Sequence, residues 1–181
     1  MAHQIISAIV EAQDEKEALE NGKEIFENLC GEGKPFDYYT TFEGEGTVVS
    51  GKDRWGGVPA VIKVDSDEGK KWIDKFMDIT KNEFSDNLQR IRKVLEHYSD
   101  DDIFEGEVQS DTSKVVDKLC KTKDIDLHSV RYSMYCCGMY NGYCIWLYNN
   151  DGEGIRNQRD LKWALENNGK SNWIIPVDVH S

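Results

Sequence analysis

The sequence has no long apolar run. Charged and polar residues interrupt every stretch well before the eighteen or so positions that a membrane-spanning helix needs. The opening residues, Met1-Ala2-His3-Gln4-Ile5-Ile6, carry no basic segment ahead of an apolar one, so no secretory signal is expected and the cytoplasm is the expected compartment. Five cysteines are present, Cys30, Cys120, Cys136, Cys137 and Cys144, an odd number without a CxxC pair. That argues against a disulfide framework and fits a reducing setting. The four histidines, His3, His97, His128 and His180, lack zinc-site spacing among themselves or toward a cysteine. His3 and His180 would meet only if the first and last strands paired, and a solvent-exposed pair is then the expectation. GxGxxG, GxxxxGK[ST], HExxH and GxSxG are all missing. No catalytic set, metal or cofactor is therefore expected.

Basic residues are also in short supply. Twenty-two Lys and Arg face thirty-four Asp and Glu, a net charge of −12, and the largest basic cluster is Lys70-Lys71. Phosphate neutralisation supplies most non-specific nucleic-acid affinity, so direct DNA or RNA binding is disfavoured, as is an anionic membrane. What remains is an ordinary apolar fraction of 39% in 181 residues, enough for the core of a single domain over 1–181.

Residues 4–11 are apolar at both parities, Ile6, Ala8 and Val10 against Ile5 and Ile9, the pattern of a central strand covered on both sides. Asp14 with Glu17 reads as a capping box opening a helix that buries Ala18, Gly22, Ile25, Phe26 and Leu29. Strands are expected over 36–42 and 58–64, flanking a glycine-rich loop with Arg54-Trp55 at its tip. Ser66 caps a long helix, about 67–98, with a stripe from Trp72 through Phe84, Leu88, Val94 and Leu95; Thr80 with Glu83 offers an internal capping box and kink instead. At 1.5 Å per residue that helix would reach about 48 Å, longer than the roughly 40 Å diameter of a domain this size, which points to self-association. A flexible acidic connection is expected over 99–111 and a short helix over 113–122. A hairpin over 131–148 turns at Asn141-Gly142, a helix over 157–168 is capped by Asn157 and stopped by Gly169, and a final strand spans 173–179. Pro176 lacks an amide proton, which assigns that strand to an edge or a bulge. The expected class is α+β, an antiparallel or mixed sheet with helices packed on it, ferredoxin-like by analogy.

The hairpin register would place Tyr135, Cys137, Trp146 and Tyr148 on one ring-and-thiol face suited to a protein partner or to a second copy of the chain. Arg54, Trp55, Asp151, Glu153 and Arg156 complete the candidate surface. The leading expectation is a non-catalytic protein-interaction or regulatory domain that forms homo-oligomers. A small-molecule site or enzyme pocket beside residues 131–156 is the first alternative, and an acidic inhibitor that mimics nucleic acid is the second. Asp65-Ser66-Asp67-Glu68-Gly69 and the segment from Trp146 to Gly154 resemble stretches of an uncharacterised archaeal family. That resemblance implies a prokaryotic cytoplasmic setting and carries no activity.

Overall fold

The computed structural model describes residues 3–44, 50–97, 99–101, 127–166 and 170–181. The acidic connection beyond 101, the short helix over 113–122, Cys120 and Gly169 lie outside them. In chain order the described elements are β1 (His3–Ala12), α1 (Glu15–Leu29), β2 (Tyr38–Thr41), α2 (Lys52–Trp55), β3 (Ile62–Lys63), α3 (Asp67–His97), α4 (Leu127–Gly138), β4 (Leu147–Tyr148), α5 (Gln158–Leu165) and β5 (Ser171–His180). The chain forms two compact units, the first of residues 1–81 and 140–181, the second of residues 82–139. The class is α+β with a mixed five-stranded sheet, ordered β2-β5-β1-β4, with β3 also on β5. This run of elements is not the β-α-β-β-α-β unit of the ferredoxin-like analogy, so only the class carries over.

In the first unit, β1 and β5 pair antiparallel over ten residues, from His3 opposite His180 to Ala12 opposite Ser171. The double-sided reading of β1 holds. Ile6, Ala8, Val10 and Ala12 share one core cluster with Ala18, Phe26 and Leu29 of α1, while Ile9 joins Ile73, Phe76, Met77 and Leu161 in a second. One face of the sheet thus carries α1, and the other carries the start of α3 together with α5. The caps follow the sequence. Asp14 accepts from the amides of Lys16 and Glu17, and Glu17 reaches back to the Gln13 amide. Ser66 accepts from the Gly69 amide at 2.9 Å, and Asn157 accepts from Arg159 and Asp160. Thr80 bonds back to the Phe76 carbonyl inside an unbroken helix, so it is not a second cap. The stripe of α3 keeps its phase as far as Thr80. Beyond it, in the second unit, Val94 is buried while Phe84 and Leu95 are exposed.

Two expectations are corrected. β5 is a central strand, not an edge, because β1 flanks it on one side and β2 and β3 on the other. The His180 carbonyl accepts from Asp37 and the Asn172 carbonyl from Val64, so the even-numbered residues of β5 turn their backbone toward β2 and β3. β2 ends opposite Val177 and β3 begins opposite Ile174. The missing amide proton of Pro176 therefore falls in the interval between the two strands, where no ladder bond is required. The second correction concerns the hairpin. Residues 127–138 are helix α4, and β4 pairs in parallel with β1 (Ser7 opposite Leu147), so no ribbon turns at Asn141. Gly142 does make a turn (φ 98°). Apolar and aromatic residues occupy nearly every position from Tyr132 to Tyr148, so periods of 2 and 3.6 fit equally well and the turn dipeptide tipped the reading. β3 is also shorter than expected, two residues within 58–64, in keeping with Pro59, which has no amide to donate.

Helix α1 crosses β5 closely at Gly22, where an added Cβ would lie 2.7–2.8 Å from three atoms of the Ile175 side chain. Gly22→Ala should destabilise the protein by about 1–3 kcal/mol despite alanine's better helix propensity. Urea unfolding measures it, and a variant at least as stable as the parent would show that the crossing is not close.

Candidate functional site

The candidate surface divides between the two units. Tyr135 and Cys137 lie on α4 in the second, Tyr135 exposed and Cys137 half-buried. The others belong to the first. Tyr148 is fully buried, donating no surface to any partner. Its hydroxyl accepts the Gly142 amide at 3.0 Å, and burial pushes the phenol pKa well up. Trp146 is half-buried, packs against the second core cluster, and gives its carbonyl to the Ser7 amide. The shared face expected of Tyr135, Cys137, Trp146 and Tyr148 therefore does not form, because alternation across a strand does not apply to a helix. Arg54 stacks over Trp55 in α2, 5.3 Å from the ring centroid. Asp151 and Glu153 sit in one turn whose amides both bond Asn149 Oδ1. Arg156 lies 3.8 Å over the Tyr140 ring. A cleft of about 460 Å³ runs between Glu24 and Asn28 of α1 and the turn at Asn150-Asp151, so of the predicted residues it takes only Asp151.

The most organised polar cluster stands where the sequence reading expected an exposed pair. The register of β1 on β5 sets His3 beside His180, rings 5.0 Å apart, and both side chains are only 9% exposed. His3 Nδ1 bonds Asp178 Oδ1 at 3.0 Å, and the other oxygen of Asp178 accepts the Gly51 amide at 2.8 Å. Asp178 is completely buried. His180 Nδ1 bonds Asp37 Oδ2 at 2.8 Å, and Tyr38 stacks on the same ring at 4.9 Å with planes 6° apart. Asp37 itself is 65% exposed. A buried carboxylate bonded by the His3 ring and the Gly51 amide ties β1, β5 and the loop before α2 at one end of the sheet. The clue available beforehand was the place of the two histidines near the ends of the first and last apolar runs. It needed the strand pairing to acquire meaning. Among the described residues, no three His, Cys, Asp or Glu side chains group as metal ligands.

Two of the thiols are held in the protonated form. Burial, with Asp37 nearby, pushes the Cys30 pKa from 9.0 to about 11, and burial likewise raises that of Cys137. The folded chain thus holds the Cys30 proton more tightly than the unfolded chain does. Its contribution to stability is complete below pH 9 and is lost as pH rises to about 11. Cys30→Ala should flatten the stability profile over that interval, with Tyr39 and Tyr148 common to both proteins. Equal slopes in parent and variant, by urea unfolding at several pH values, would refute the shift. Asp178→Ala should cost about 2–5 kcal/mol, since it strands His3 and the Gly51 amide in the interior. Asp37→Ala should cost less than about 1 kcal/mol, because water replaces an exposed carboxylate. Comparable losses in the two would contradict the assigned burial.

No curated protein and no solved structure matches the chain. The family described as Domain of unknown function (DUF7995) matches residues 2–113 and 107–181, which together span nearly the whole sequence. The chain belongs to that family.

Proposed function

We propose that the chain is a protein-interaction or regulatory domain that associates with itself, acting in the cytoplasm. One observation carries the reading: the second unit exposes large apolar side chains on both of its described helical stretches. Tyr135 is 61% exposed and Leu95 54%, with Tyr132, Met134 and Phe84 close to half exposed. Isolated apolar residues on a surface are ordinary, but a small unit presenting five of this size has the composition of an interface, where aromatic side chains and methionine are enriched. Of the side chains expected on a hairpin face, Tyr135 is exposed on α4, Tyr148 is buried in the core, and Trp146 is half-buried against it. Four free thiols among the described residues support a reducing compartment. No described helix is long and apolar enough to cross a membrane.

Light scattering on a sizing column should return a multiple of the chain mass. Tyr135→Ser combined with Leu95→Ser, both at exposed positions, should bring it to the monomer mass while the urea midpoint stays within error. A monomeric parent, or an oligomer indifferent to both substitutions, would overturn self-association through this unit.

A further inference from the structure

We propose that His3 and His180 form a two-imidazole chelate for a borderline divalent transition-metal ion, such as zinc or nickel. Three features of the first unit point to it.

The rings are brought together by the β1–β5 register, not by flexible side chains on a loop. Each ring has its Nδ1 bonded to a carboxylate, His3 to Asp178 and His180 to Asp37. That is the arrangement found behind metal-bound histidines: the carboxylate fixes the ring and its tautomer and leaves Nε2 as the nitrogen available to a metal. Here it occurs twice, on neighbouring residues.

The spacing also agrees. With metal–nitrogen bonds of about 2.0–2.1 Å, two imidazoles on one ion have ring centroids about 4.5 Å apart at a right angle and about 5.2 Å apart at the tetrahedral angle. The observed separation is 5.0 Å. Among the described residues no third His, Cys, Asp or Glu groups with them, and with imidazole donors nickel or copper should bind more tightly than manganese or iron.

Bound metal would clamp the ends of the two central strands, and through Asp37 and Tyr38 would also hold β2.

Isothermal titration of the full chain with nickel or zinc chloride should show one saturable site per chain, with a matching rise in the urea midpoint at saturating metal. His180→Gln should abolish it. Asp37→Asn, at an exposed position that the fold tolerates, should weaken it about tenfold through the ring it orients. Two results overturn the proposal: no saturable binding up to about 1 mM metal, or binding unchanged in both His180→Gln and Asp37→Asn, which would place the ion elsewhere. If His180→Gln fails to fold, Asp37→Asn alone decides.

Discussion

The ladder between β1 and β5 joins the two ends of the chain, and every layer of the first unit is organised from it. Ten residue pairs, from His3–His180 to Ala12–Ser171, put the first and last strands side by side at the centre of the sheet. Among the described strands, β2 and β3 then pair with β5, and β4 with β1. Without this ladder there is no surface on which α1 or the start of α3 can bury its stripe. Such pairing is the least local contact a chain can make, and its loop-closure entropy is met before the contact rewards it.

Burial on both faces explains the composition of these strands. β5 has eight consecutive buried residues, Trp173 to His180, two of them polar. Asp178 is tolerated there because two donors converge on it. Ser7, the polar residue at the middle of β1, accepts the indole N–H of Trp72 at 2.9 Å, and so ties β1 to α3. The same economy places Pro176 in a central strand at the one interval where its missing proton is not needed. Asp178, Ser7 and Pro176 are thus each met by a specific partner or by a gap in the neighbouring ladder.

The second unit is of another character. Its described helices bury small residues, Ser133 and Cys136 on α4, Asn87 and Val94 on α3, and present rings and long aliphatic chains outward. The first unit does the reverse with Phe26, Ile9 and Tyr148. Those outward rings and aliphatic chains are what the proposed self-association would cover.

The sequence by itself determined the elements whose signals are local. These are the two-faced β1, the caps at Asp14, Ser66 and Asn157, the stripe of α1 and the first four turns of α3. Each depends on spacing and hydrogen bonds within a few residues. It did not determine α4, because the crowded apolar and aromatic residues from Tyr132 onward fit either period and only packing selects helix over strand. Nor did it determine the histidine cluster, since His3 and His180 lie 177 residues apart and become neighbours only through the register of the ladder. Tertiary structure decided which strand is central, and with it which polar residues share one buried end of the sheet.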